Sequence, residues 1–197
     1  MARTKEFDEA EVLDRALEVF WEDGFQGASF ATLTARLGVS RQSLYDTYGD
    51  KQALFLAAIR RYLDSGAEKL REATSAEGPI REVFTALLDG IIAGNCSCSP
   101  HGSGSRGCLA TNTLIETAPE AEAARNLVLQ HVRRVEGLLA SRIAAAQRTG
   151  EVDPAKDPVA LARFLYHTLT GIAVAARAGE DAANLRETAR IALGALD

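Results

Sequence analysis

One polar stretch of the chain carries side chains suited to reading DNA bases. Residues 40–51, with the sequence SRQSLYDTYGDK, follow an amphipathic segment and a glycine turn at residues 37–39. A short polar helix held by a preceding helix across such a turn is the helix-turn-helix arrangement, whose second helix enters the DNA major groove. Arginine pairs with guanine and glutamine with adenine through two hydrogen bonds, each worth ~1–3 kcal/mol of discrimination. We therefore expect Arg41 and Gln42 to read bases.

Five further side chains around this stretch are candidates for DNA contacts. Ser43 is small and can bond to a base or a phosphate, and Tyr45 projects outward toward a phosphate or a thymine methyl group. Lys51 stands at the start of a fourth helix, where backbone N–H groups and the helix dipole already favour an anion, so we expect it to clamp a phosphate. Ser29 and Thr47 are weaker phosphate candidates.

The charge of the chain is acidic overall, which by itself argues against DNA binding. The formal net charge is −5. Residues 8–23 hold seven acidic side chains and one basic, a net of −6, whereas residues 29–61 hold five basic and two acidic, a net of +3. Positive charge therefore accompanies the polar stretch, and we expect moderate non-specific DNA affinity with a modest salt dependence.

A second group of reactive side chains lies near the middle of the chain. Cys96, Cys98, His101 and Cys108 fall within one glycine- and serine-rich segment. Thiolates and an imidazole can bind a soft metal, and a thiol with a resolving neighbour can sense oxidants or electrophiles. The spacing does not match the usual Cys-x-x-Cys zinc pairs. A flexible loop without function therefore remains an alternative, with Cys108 as a small core residue.

The elements that must position these side chains are helices. Apolar residues recur at helical spacing along nearly the whole chain and no segment alternates like a strand, so we predict an all-α fold of about nine helices. Ser29, Ser40 and Asp50 are placed to cap the second, third and fourth helices, and capping alone would explain both serines. The remaining helices are predicted at about 8–23, 79–94, 108–117, 120–149, 158–178 and 181–196, with a loop at 95–107.

These residues together resemble one family of regulators. The N-terminal ~60 residues are similar to the TetR family of bacterial transcriptional regulators, through Gly24-Phe25, Ser29, residues 37–40, Leu44-Tyr45 and residues 48–51. The resemblance implies a three-helix DNA-binding head (residues 1–50) and a helical body (residues 51–197) that binds a small-molecule effector and forms a homodimer. It also implies a cytoplasmic repressor that needs no cofactor and releases a palindromic operator when an inducer binds.

The body offers candidates for an effector site and for a subunit interface. Asn112, Glu116 and His167 are polar residues on otherwise apolar stretches and could line a ligand pocket. The apolar stripes of the last two helices are expected to pair across a two-fold axis, with closure of the monomer core as the alternative. The interface residues expected from those stripes are Leu161, Leu165, Thr168, Ile172, Leu185, Ala189 and Leu193.

Other classes of protein find less support in the sequence. No Ser-His-Asp order, HExxH motif, phosphate-binding glycine loop or paired-acid motif is present, so we do not expect an enzyme. No apolar run of ~18 residues or signal-peptide core occurs, so we expect no membrane segment. A helical protein-interaction module without specific DNA readout remains possible, because Asp46 and the acidic first helix lie close to the candidate reading helix.

Overall fold

The computed structural model describes residues 7–96, 105–116 and 122–197, and within these ranges every regular element is a helix. The all-α prediction is confirmed. The helices are α1 Glu9–Gly27, α2 Phe30–Leu37, α3 Arg41–Tyr48, α4 Lys51–Thr74, α5 Ile80–Cys96, α6 Leu109–Glu116, α7 Glu122–Arg148, α8 Pro158–Arg177 and α9 Ala182–Leu193, followed by a 3₁₀ turn Gly194–Leu196.

The predicted helix caps of the head are confirmed. The hydroxyl oxygen of Ser29 accepts a hydrogen bond from the backbone N–H of Thr32 at 3.0 Å, and Ser40 does the same for Ser43 at 3.1 Å. The Asp50 carboxylate accepts from the N–H of Ala53 at 2.7 Å. Each bond satisfies a backbone donor that the first helical turn leaves without a partner, which sets where α2, α3 and α4 begin.

The first helix departs from the prediction near its end. We expected it to stop at Gly24, but α1 resumes for one more turn as far as Gly27. Gly24 has φ 72° and ψ 175°, a backbone conformation that only glycine adopts without strain. The helix is therefore interrupted at Gly24 and continues as a short, offset turn at residues 25–27.

Two apolar cores hold the helices together, and α4 joins them. The head core contains Phe20, Leu33, Leu44 and Phe55, and it also takes in Val128 of α7. Residues of α4 as far as Leu63 belong to this core, whereas Leu70 belongs to the core of the body. The expected division at residue 50 stays a prediction, since the apolar packing continues across it.

Candidate DNA-binding surface and its contacts with the body

The outer face of the candidate recognition helix is set by a glycine turn and two buried leucines. Gly38 has φ 70°, in the left-handed region, and its N–H donates to the carbonyl of Thr34 to end α2. Leu37 and Leu44 are buried in the head core on either side of this turn. Because these two side chains hold the inner face of α3, the polar side chains of α3 lie on the outside.

Arg41 and Gln42 are exposed, and each contacts a residue one helical turn later. The Arg41 guanidinium donates to the Tyr45 hydroxyl at 3.3 Å, and the Gln42 amide donates to the Asp46 carboxylate at 2.7 Å. Tyr45 and Asp46 are also exposed. This places two candidate base-reading groups on one face, each partly oriented before any DNA is present.

Two of the other predicted contacts, Ser43 and Ser29, have local partners. The hydroxyl groups of Ser43 and Ser40 lie 2.9 Å apart, and the Ser29 hydroxyl lies 2.9 Å from that of Thr32. Thr47 is half-buried on α3. Ser29 therefore serves as a helix cap in this structure, and the DNA contacts expected of Ser29, Ser43 and Thr47 stay predictions.

Lys51 holds the start of α4 against the end of α1. Its ammonium donates to the carbonyl of Phe25 at 2.8 Å and lies 4.4 Å from the centre of the Phe25 ring. An ammonium has three N–H donors, so this bond leaves donors for a second acceptor. The phosphate clamp expected of Lys51 stays a prediction, and the structure adds a role in stabilising the head.

The acidic first helix neutralises part of the positive charge of the head. Arg36 donates to Glu22 at 2.6 Å and pairs with Asp23 at 3.5 Å. Arg61 forms a two-pronged pair with Asp14, with one N···O distance of 2.6 Å. The field at the DNA face is consequently weaker than the local sum of +3 suggests, which favours readout by specific contacts over non-specific attraction.

The head contacts the body through Trp21 and the segment before α6. The indole N–H of Trp21 donates to the Gly107 carbonyl at 3.1 Å, and the guanidinium carbon of Arg106 lies 4.4 Å from the centre of the indole. Arg106 also pairs with Glu18 of α1. Asn112, a predicted pocket residue, instead donates to the Arg106 carbonyl at 3.0 Å and so fixes this segment.

Glu116 joins the end of α6 to the break in α1. Its carboxylate accepts the backbone N–H of Gln26 at 3.0 Å, which caps the short turn after Gly24. A Cβ atom at Gly24 would lie only 2.5–2.7 Å from that carboxylate, so an added methyl group would displace the flexible end of the Glu116 side chain, and the backbone angle itself favours glycine. We expected Glu116 as a ligand candidate; in the structure it is a structural link between body and head.

A small apolar pocket lies between α5, α7 and α8. None of the polar pocket candidates Asn112, Glu116 and His167 lines it. His167 is exposed on α8, with its ring 6.0 Å from that of Tyr166. Leucine and phenylalanine side chains offer no hydrogen bonds, so no polar residue in the sequence marks this location. The pocket is lined by Phe84, Leu87, Leu88, Leu139, Leu165 and Leu169.

Cys108 lies at the contact between the head and the body. The Tyr62 hydroxyl donates to the Cys108 sulfur at 3.6 Å, and burial, followed by the nearby thiol, raises the pKa of Tyr62 well above its usual value. The Cys96 side chain, Cys98 and His101 lie outside the described residues. Among the side chains that are described, no group of three or more His, Cys, Asp or Glu could hold a metal ion.

Most of the side chains expected at a subunit interface lie in the core of the body. The residues Leu165, Ile172, Leu185, Ala189 and Leu193 are buried within the chain, where they pack in the body core. The expected residues lie on the more apolar face of each helix, and the monomer buries that face in its own core. Leu161 packs partly against the same core and Thr168 is half-buried.

A different apolar stripe of these helices is uncovered. Phe164 and Val174 on α8 are each 47% exposed, with the exposed Gly171 between them, and Ile191 on α9 is 64% exposed. Among the described helices, α8 is also long and apolar enough to cross a membrane by length and composition. One face of α8 packs in the body core and Arg163 interrupts its outer side, so we read α8 as a body helix with a second, unpartnered face.

Comparisons with known proteins cover both parts of the chain. Residues 12–58 match the family model described as bacterial regulatory proteins, tetR family, and residues 85–192 match a tetracyclin repressor-like C-terminal domain. The uncharacterized HTH-type transcriptional regulator YezE of Bacillus subtilis (strain 168) is 34% identical over 199 residues, covering 100% of both proteins. The HTH-type transcriptional repressor ComR of Escherichia coli (strain K12) is 29% identical, covering 95% of this chain and 88% of ComR.

A solved structure with DNA is also similar. A cysteine mutant of the TetR family transcriptional regulator CifR, complexed with 26-base-pair double-strand operator DNA, superimposes with a TM-score of 0.88. It shares 28% sequence identity, and the comparison covers 100% of each chain. The similarity thus extends from the helix-turn-helix head through the whole body.

Proposed function

Because the chain belongs to the TetR family of DNA-binding transcriptional regulators, we propose that it is a repressor whose α3 reads one half of a palindromic operator. The observation that carries this proposal is the exposed face of α3, on which Arg41, Gln42 and Tyr45 stand together above a rigid turn. The members of this family are transcriptional regulators and not enzymes. We expect the protein to act in the cytoplasm.

In this proposal Arg41 and Gln42 supply most of the sequence preference. Replacing Arg41 by alanine should remove a preference of roughly 1–3 kcal/mol at one base pair of each half-site. The test is selection from a randomised double-stranded DNA library followed by sequencing. Enrichment of a palindrome supports the repressor, whereas enrichment of no sequence supports a protein-interaction module.

We further propose a homodimer formed by the uncovered faces of α8 and α9. Packing Phe164, Val174 and Ile191 against the same residues of a second copy would bury an apolar stripe that otherwise contacts water. A two-fold pair would set two α3 helices about 34–36 Å apart, one turn of DNA. In sedimentation experiments, Phe164→Glu should yield monomers at micromolar concentration. Ile115→Glu, on α6, is the control, since Ile115 is 75% exposed outside this stripe.

The proposal includes a small-molecule effector. The apolar cavity between α5, α7 and α8 has room for no more than a water-sized molecule in this structure, so an apolar effector would bind there only by displacing the leucine side chains that line it. Binding there would act on α7 and α8 and, through α7, on the head core. A panel of apolar metabolites tested for release of the selected operator checks this, with Leu169→Trp as a variant that should fill the pocket.

A second candidate is regulation through thiol chemistry. Cys108 lies against Tyr62 and directly after Gly107, whose carbonyl holds Trp21, so a bulky adduct on this sulfur would disturb the head–body contact. CifR, which shares 28% sequence identity with this chain, has been solved as a cysteine mutant. Loss of operator binding after alkylation, abolished in Cys108→Ser, supports this candidate. Stoichiometric metal in protein purified without chelator, lost in Cys98→Ser, supports the metal alternative.

A further inference from the structure

An aromatic pair lies beside the candidate base-reading residues and belongs to neither core. Phe30 begins α2, and its ring stacks on that of Tyr45 in α3, with centroids 5.0 Å apart and planes at 19°. Phe30 is half-exposed and Tyr45 is exposed. An aromatic side chain in such a place adds little to the head core, which is filled by other residues. The pair therefore calls for a role outside core packing.

The pair lies directly against Arg41. The guanidinium carbon of Arg41 is 4.9 Å from the centre of the Phe30 ring and 5.4 Å from that of Tyr45. Arg41 also donates to the Tyr45 hydroxyl. A cation is attracted to an aromatic face within about 6 Å, and arginine stacks on such faces particularly well. Three contacts thus restrict a side chain that is otherwise among the most flexible.

We propose that Phe30 is a positioning residue for DNA readout, which holds Arg41 through the Phe30–Tyr45 pair. This inference rests on the proposed operator binding by α3. A guanidinium held in one orientation presents its fork of donors to guanine without first giving up rotamer freedom. Phe30 thereby contributes to base specificity although it lies on α2, outside the recognition helix.

The proposal separates orientation from charge. Phe30→Ala leaves the positive charge of Arg41 at the DNA face, but it removes one of the three contacts that orient Arg41 and the ring that stacks on Tyr45. Base preference at the position read by Arg41 should fall roughly two- to fivefold, the range of a cation–aromatic contact at an exposed site. Affinity for unrelated duplex DNA should stay the same, because that affinity depends on charge.

The experiment compares the wild type, Phe30→Ala, Phe30→Tyr, Arg41→Ala and the Phe30→Ala/Arg41→Ala double variant. A randomised double-stranded library first yields the preferred operator of the wild type. Duplexes substituted at each position of that operator then give the preference profile of every variant. The proposal expects a loss confined to one position per half-site in Phe30→Ala, retention in Phe30→Tyr, and no further loss in the double variant relative to Arg41→Ala. Thermal unfolding should change little, since Phe30 lies outside both cores.

Four results would overturn the proposal. An unchanged profile in Phe30→Ala shows that Arg41 needs no aromatic support. A further loss of base preference in the double variant shows that Phe30 acts directly on DNA. A uniform loss of affinity across all sequences, together with a lower melting temperature, shows that Phe30 acts on the fold. If the wild type enriches no sequence, the proposed operator binding fails and this inference fails with it. The first three results leave operator binding intact, so the two failures are distinguishable.

Discussion

Replacing Gly24 by alanine should destabilise the protein through two separate effects. The backbone at Gly24 has φ 72° and ψ 175°, a region that costs a residue with a Cβ about 1–3 kcal/mol. The new methyl group would also lie 2.5–2.7 Å from the Glu116 carboxylate and push it away from the Gln26 N–H. Losing that partly exposed, charge-assisted bond costs about 1–1.5 kcal/mol. Together we expect ~2–4 kcal/mol.

The chain provides a matched control three residues away. Gly27 is helical, and a Cβ there would meet only the Asp23 Cβ at 3.5 Å, an ordinary contact. Gly27→Ala should therefore be neutral or stabilise the protein by about 0.5–1 kcal/mol, because alanine favours the helix. Both variants carry the same added atom in the same short segment, so a difference between them isolates the backbone angle and the Glu116 contact.

The assay is thermal unfolding followed by circular dichroism at one fixed protein concentration, since a dimer melts at a temperature that depends on concentration. Gly24→Ala should melt about 5–15 °C below the wild type. Glu116→Ala loses only the hydrogen bond, so the double variant should fall short of the sum of the single effects by about 1 kcal/mol. Equal melting temperatures for Gly24→Ala and Gly27→Ala would refute the reasoning, and full additivity would refute the proposed contact with Glu116.

Three further variants test the charge of the head, the anchoring of α4 and the burial of a histidine on α7. Asp46→Asn removes a negative charge from the DNA face and weakens the hold on Gln42, so fluorescence anisotropy should show tighter binding to unrelated DNA and lower preference for the selected operator. Lys51→Ala should weaken binding to all duplexes similarly. It should also lower the melting temperature, because the hydrogen bond to the Phe25 carbonyl is lost. An unchanged melting temperature would contradict the role of Lys51 in stabilising the head. Burial, followed by Arg134, lowers the pKa of His131 below its usual 6.5, so the unfolded chain binds the proton more readily. Urea unfolding should show stability falling as pH drops from about 7.5 to 5.5, and less so in His131→Gln.

The head–body contact gives a physical basis for regulation at a distance. Arg106, Gly107 and Glu116 of the body all bind α1, and Lys51 binds the short turn that Glu116 caps. A movement of α6 would therefore be transmitted to the turn at residues 25–27 and then to the start of α4. This arrangement favours an effector mechanism that changes the orientation of the head rather than its folding.

Local features of the sequence were enough to predict the helices and the reading face of the head. Cap residues such as Ser40 and Asp50 and the turn glycine Gly38 act within a few residues of chain, so their effects can be read directly from sequence. The outward position of Arg41 and Gln42 follows from the same local rules once Leu44 is assigned to the core.

Features that depend on contacts between distant residues could be decided only by the tertiary structure. Nothing in the sequence around Glu116 indicates that its carboxylate accepts a hydrogen bond from Gln26, ninety positions away. Helical periodicity in α8 marks apolar residues but does not determine which apolar face the monomer buries; in the structure Leu165 is buried and Phe164 is uncovered. Sequence spacing determines how residues are arranged around one helix, whereas burial depends on which other helices pack against it.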